Sequence, residues 1–153
     1  MEENNIEILI KNLFDNRHFK SYEQVLAFNE ALDSLAILKN PDHLKVLFYL
    51  LDDDSDHPEV IDGVIHVIEY YGIDSYLPYM LIHLDEIYKQ TPLQTRRMFF
   101  RILNSEKALI YLKKHMGGNC SSLETVLLQI EQQSERHKNL CKELIAELKN
   151  KTS

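Results

Sequence analysis

Glycine, proline and cysteine are scarce in this chain, at four, four and two among 153 residues, and tryptophan is absent. So few turn-forming residues argue against the many tight turns of a small sandwich or barrel and favour helices. Two cysteines, Cys120 and Cys141, close at most one bridge, which excludes a disulfide-stapled scaffold and points to free thiols in a reducing compartment. No apolar run approaches the ~20 residues that cross a bilayer. The opening "MEENNIEILIKNLFDNR" lacks the basic leader, apolar core and small-residue cleavage site of a secretion signal. A soluble, cytoplasmic protein with no membrane partner is expected. The length is that of one ordinary domain, so a single domain over 1–153 is expected, burying ~68–70% of the surface its unfolded chain exposes.

Positive charge is also short, and unevenly so. Residues 1–72 hold 15 Asp and Glu against 5 Lys and Arg, a balance of −10; residues 73–153 hold 9 against 12, a balance of +3. Nucleic acid is repelled by the first half, whereas a basic protein surface is drawn to it.

What is present is helical periodicity almost throughout. Ile6, Leu9, Ile10 and Leu13 mark a first helix. A second runs from Tyr22 to Leu38, opened by Ser21 with Gln24 three residues on as a capping box and ended by Asn40-Pro41. A third over 41–52, a fourth over 58–71 ended by Gly72, a fifth over 75–89, a sixth from Pro92 to Asn104 and a seventh over 105–116 ended by Gly117-Gly118 follow. The last spans 121–149, and its polar middle "EQQSERHKN" marks a place where it is broken or exposed. The expected fold is all-α, with about seven or eight helices as antiparallel hairpins stacked in a HEAT-like solenoid. Shifting by 34 residues lays Pro58 on Pro92, Leu47 on Leu81 and Ile68 on Ile102, suggesting a hairpin repeat, 41–72 and 75–105.

The stretch "DDDSDHP" at 52–58 meets the first requirements of a calcium loop with Asp52, Asp54 and Asp56. His57 then stands where the loop needs Gly, and Gly63 where it needs Glu, so calcium is excluded. The fourth helix turns Val60, Ile61, Val64, Ile65, Val67 and Ile68 inward and leaves Glu59, Asp62, His66 and Glu69 on an outward stripe. With Asp52, Asp53, Asp54 and Asp56 these form a candidate acidic ridge for a partner, or else a solvated face. Tyr70, Tyr71, Tyr76 and Tyr79 are candidate aromatic anchors beside it, with packing between hairpins as their other reading.

Two His-x-x-Glu pairs, His66 with Glu69 and His83 with Glu86, have the spacing of a di-metal helix but lack inward carboxylates on further helices, and His137 with Cys141 falls short of a site; no metal and no cofactor are expected. His43 and His57 read as surface or capping residues. Arg97, Arg101 and Asn104 share a face of the sixth helix opposite Met98, Phe99, Ile102 and Leu103. They are candidates for structural ion pairs and hydrogen bonds, since too few further cations stand beside them for nucleic acid. No phosphate loop, nucleophile elbow, paired-cysteine motif or His-Glu-x-x-His run occurs, so an enzyme is not expected.

The segment "LLDDDSDHPEVIDGVIHVIEYYGIDSYLPYMLIHL", followed by "QTPLQTRRMFFRILNS", resembles the immunity protein 30 family, small bacterial proteins that neutralise toxin domains of contact-dependent or polymorphic toxin systems. The resemblance rests on the acidic loop Asp52 to Asp56, the "HxIE" of His66 to Glu69 and the "RxLN" of Arg101 to Asn104. It implies an antitoxin without chemistry of its own that occludes a toxin's active site or an essential surface, the toxin being in many cases a basic nuclease. A generic helical-repeat scaffold is the other reading, and the oligomeric state is left open.

Overall fold

The computed structural model describes residues 3–117 and 121–152, and every regular element among them is helical. The chain divides into two compact units, Met1–Gly72 and Ile73–Ser153. The first holds α1 (Glu3–Asp15), α2 (Tyr22–Leu38), a 3-10 turn (Pro41–His43), α3 (Leu44–Tyr49) and α4 (Pro58–Tyr70). The second holds α5 (Ile73–Ile82), α6 (Leu84–Gln90), α7 (Pro92–Leu103), α8 (Glu106–His115), α9 (Ser121–Gln133) and α10 (Lys138–Thr152). No helix among the described residues is long and apolar enough to cross a membrane.

In the first unit α1 packs on α2, and α4 packs on both α2 and α3. The contact is made by apolar stripes at helical spacing: Phe28, Leu32 and Leu35 of α2, Leu44 and Leu47 of α3, and Ile61, Val64 and Ile68 of α4 are all essentially removed from water. Gly63 of α4 faces α2 without crowding it, since a Cβ there would stand 3.9 Å from the Leu32 side chain, an ordinary contact distance. Gly72, at φ 95°, ends α4 in the left-handed conformation that a side chain disfavours. Ser21 Oγ accepts the Gln24 N–H at 3.2 Å, and Gln24 Oε1 accepts the Lys20 N–H at 2.7 Å, so the reciprocal arm of the cap lands one residue ahead of Ser21.

In the second unit α7 lies against α6, α8 and α9, and α9 forms a hairpin with α10. The expected face of α7 is observed, with Met98, Phe99, Ile102 and Leu103 buried. Asp85 of α6 accepts the Ser122 N–H at 3.1 Å and so caps the first turn of α9 from another helix. Lys151 performs the converse service at the end of α8, donating to the carbonyls of Lys113 at 2.9 Å and Met116 at 3.0 Å.

Three expected elements are divided; the divisions of the fifth and the last bring the count to ten α-helices among the described residues, and that of the third adds a 3-10 turn. The third begins as a 3-10 turn, with Asn40 Oδ1 accepting the Asp42 N–H at 3.0 Å before α3 starts. The fifth is interrupted at His83 alone. There His83 N–H still bonds Tyr79 O at 3.1 Å and Ile87 N–H bonds His83 O at 3.0 Å, so the stripe Leu77, Met80, Leu84 and Ile87 continues in phase across the break. The last divides at residues 134–137, within the all-polar stretch. His43, expected as a surface or capping residue, stands at the N-cap of α3 but is buried at 7% exposure and makes no side-chain cap bond, with Nδ1 unpaired among the described residues. Cys141 is a free, fully buried thiol; Cys120 and Gly118 lie outside the described residues.

Candidate functional site

The acidic stretch is an ordered turn built by its own side chains. Asp52 Oδ1 accepts the Asp54 N–H at 2.9 Å, and Ser55 Oγ accepts the His57 N–H at 3.1 Å. The His57 ring stands edge-on to Phe19 at 5.5 Å, and Phe19 stands edge-on to Phe28 at 4.9 Å. Phe19 holds φ 51°, an uncommon conformation for a bulky residue, and its burial in this aromatic stack keeps it there. His57 C=O then accepts the Val60 and Ile61 N–H groups, and Pro58, with no N–H of its own to satisfy, opens α4. The carboxylates thus gather at the positive end of a helix dipole, which offsets part of their mutual repulsion.

The outward faces are not equal. Asp54, Asp56, Glu59 and His66 are exposed, with His57 Nδ1 3.2 Å from Glu59 Oε1. Asp52, Asp53, Asp62 and Glu69 are half-buried, and none of these four is a free charge. Val60, Ile61, Val64, Ile65 and Ile68 are buried as expected, whereas Val67 is only half so.

The four tyrosines separate in the same way. Tyr70 is 59% exposed, whereas Tyr71 and Tyr76 are at 5% and 4%. Tyr71 continues the inward arc three residues beyond Ile68, its hydroxyl makes a long 3.5 Å contact with Leu35 O, and burial raises its pKa. Tyr76 stands four residues before the buried Met80 and is likewise a core residue. Both are too deep to anchor a partner. Tyr79 is half-buried with its ring 4.3 Å from that of His83, its pKa raised by burial and then by the charge of Glu86.

On α7, Arg97 Nη1 donates to Gln94 Oε1 at 2.9 Å, and Arg101 is exposed. Asn104 makes a contact that sequence spacing did not indicate: its Oδ1 lies 2.7 Å from Nε2 of His137, whose Nδ1 lies 2.7 Å from Ser134 Oγ. One neutral tautomer satisfies both, with Nε2–H donating to Asn104 and Nδ1 accepting from the Ser134 hydroxyl. The His137 ring also stands edge-on to Phe100 at 5.5 Å. His137 and Cys141 therefore face different surroundings, one a polar junction and one the core. Among the described residues no three His, Cys, Asp or Glu side chains cluster as a metal site.

The acidic turn, α4 and the Asn104 end of α7 all lie inside the span matched by the family model for immunity protein 30, residues 15–112, more than half of the chain. The chain belongs to the immunity protein 30 family. Comparison with curated proteins and with solved structures returned no match. The immunity protein 30 span takes in the Phe19 stack beneath the acidic turn and Tyr70 at the end of α4; the turn between α9 and α10, which supplies Ser134 and His137, follows it.

Proposed function

We propose that this immunity protein 30 member is a cytoplasmic antitoxin that binds one cognate toxin domain and occludes its active site or an essential surface through the acidic face of its first unit. The observation that carries the reading is the ordered turn at 52–57, which holds Asp54, Asp56 and Glu59 outward at the head of α4 in a unit of net charge −10. A surface held in place before contact loses little conformational entropy on binding. Like charges gathered there raise the encounter rate with a basic partner. A nuclease toxin fits that complement, because its cleft must hold phosphates. The partner-binding set on this reading is Asp52, Asp53, Asp54, Asp56, Glu59, Asp62, His66 and Glu69, with Tyr70 as the aromatic anchor; Arg97, Arg101 and Asn104 act within the fold. The protein contributes binding alone and no bond-making chemistry.

The test is co-expression with the C-terminal domain of a large exported protein encoded beside this gene, followed by co-purification. Cell survival with a stable complex is expected. Survival without a complex, or death, would replace the antitoxin by a helical scaffold for other proteins. Charge reversal at Asp53, Asp54 and Asp62 together is expected to slow association; unaltered binding would remove the acidic face from the mechanism.

A further inference from the structure

A shallow groove of about 370 Å³ opens on the first unit beside the last turns of α2 and α4, lined by Asp33, Ala36, Ile37 and Tyr70. Ile37 is 82% exposed. Single exposed apolar side chains are ordinary, but here two large ones flank one depression with a carboxylate in its wall. The ring of Tyr70 already receives a cation: Lys39 Nζ lies 4.7 Å from its centroid. Lys39 reaches it from a left-handed conformation, φ 47° and ψ 39°, with its N–H bonded to Leu35 O at 3.2 Å. Glu59, Gly63, His66 and Tyr70 follow one another at spacings of four, three and four, so Tyr70 is the far end of the acidic face, roughly 16 Å along the helix from Glu59.

We infer that this groove receives an arginine or lysine side chain of the protein partner. The aliphatic stem lies on Ala36 and Ile37, and the charge sits between the Asp33 carboxylate and the Tyr70 ring, where it competes with Lys39. Two observations select a cationic occupant over a purely apolar one. The unit around the groove has a net charge of −10, and the cation seated on the ring shows which chemistry the site accepts. The partner's identity rests on the antitoxin reading; the groove's preference for a cation does not.

The chain alone supplies the first test, by amide and methyl NMR titration with N-acetyl-arginine amide and with its uncharged norleucine counterpart. Saturable shifts centred on Ala36, Ile37 and Tyr70 are expected with arginine only, stronger in Lys39→Ala and lost in Asp33→Asn. No localised shift, or equal shifts with norleucine, would overturn the assignment. So would concentration-dependent self-association of the wild type that Ile37→Ser abolishes, because a second copy would then be the occupant. With the co-purified toxin domain, Ile37→Ser and Tyr70→Ala, each checked for an unchanged melting curve, are expected to weaken binding at least tenfold. Undiminished binding would remove the groove and leave the antitoxin reading intact. A wild type that captures no toxin domain would sink the antitoxin reading, and the arginine titration would still decide the groove.

Discussion

Replacing Asn104 by Ala removes one end of a polar junction that joins α7 to the turn between α9 and α10. His137 is buried at 7% exposure, so its Nε2–H loses a 2.7 Å partner that water replaces poorly. Leaving such a donor unpaired costs about 1–3 kcal/mol. Asn104 itself is exposed, which lets some water in and places the expected cost near 1–2 kcal/mol. For a chain of this size that is a fall of roughly 2–8 °C in the melting midpoint. His137→Ala also loses the Ser134 hydroxyl contact and the Phe100 edge contact, the latter worth about 0.5–1.5 kcal/mol, so it is expected to cost more. The decisive quantity is the coupling in a double-mutant cycle, which cancels effects private to each site. Circular dichroism melts of wild type, both single variants and the double variant should give a coupling of about 1 kcal/mol or more. A coupling within ~0.3–0.5 kcal/mol of zero would refute the junction, because independent sites add to within that error.

Gly63→Ala should stabilise the protein by about 0.5–1 kcal/mol, because the helix interior prefers Ala and the new methyl meets Leu32 at ordinary contact distance, 3.9 Å; a lowered urea midpoint would show that α2 and α4 are closer than this. Burial, with a smaller contribution from the charge of Glu131, pushes the Cys141 thiol up to about 11 from its ordinary 9.0. The folded protein therefore keeps a proton that the unfolded chain gives up. This contribution to stability is whole below pH 9 and is lost as pH rises towards 11, by at most about 3 kcal/mol. Melting curves across that window should fall less steeply for Cys141→Ala than for wild type, and equal slopes would contradict the assignment. Native Cys141 in a Cys120→Ser background should resist thiol reagents until unfolding; prompt labelling would place it at the surface. Neutralising Asp54, Asp56 and Glu59 together should move the melting midpoint little, since exposed charges contribute within about 0.5 kcal/mol each and helix-dipole attraction opposes repulsion here. A collapse in stability would mean these carboxylates are structural.

Helix type and most boundaries were legible because apolar spacing and punctuation agreed, as in α4, where Pro58, the stripe from Val60 to Ile68 and Gly72 all point to one element. The split at His83 was not, because no Gly or Pro marks it and the buried positions keep their phase through it. The break at residues 134–137 was half legible: polarity announced it, while the bond that places it reaches Asn104, 33 residues away. Tyr71 carried a readable signal, since it stands three residues beyond Ile68 on the inward arc. The contact of Lys39 with Tyr70 depends on how α2 and α4 pack, which no local pattern encodes. Exposure follows position within the outward stripe of α4, because Asp62 and Glu69 sit nearer the buried arc than Glu59 and His66 do.

The most direct measurement is the association rate of the purified chain with the co-purified toxin domain as ionic strength rises from 0.1 M to 1 M, for wild type and for the variant Asp54→Asn, Asp56→Asn, Glu59→Gln. Over that range the screening length falls from ~10 Å to ~3 Å. An acidic face that steers a basic partner predicts a wild-type rate that drops by about tenfold or more, and a variant that starts slower and responds less to salt. A wild-type rate indifferent to salt, or a variant that matches it throughout, would contradict neutralisation through this face.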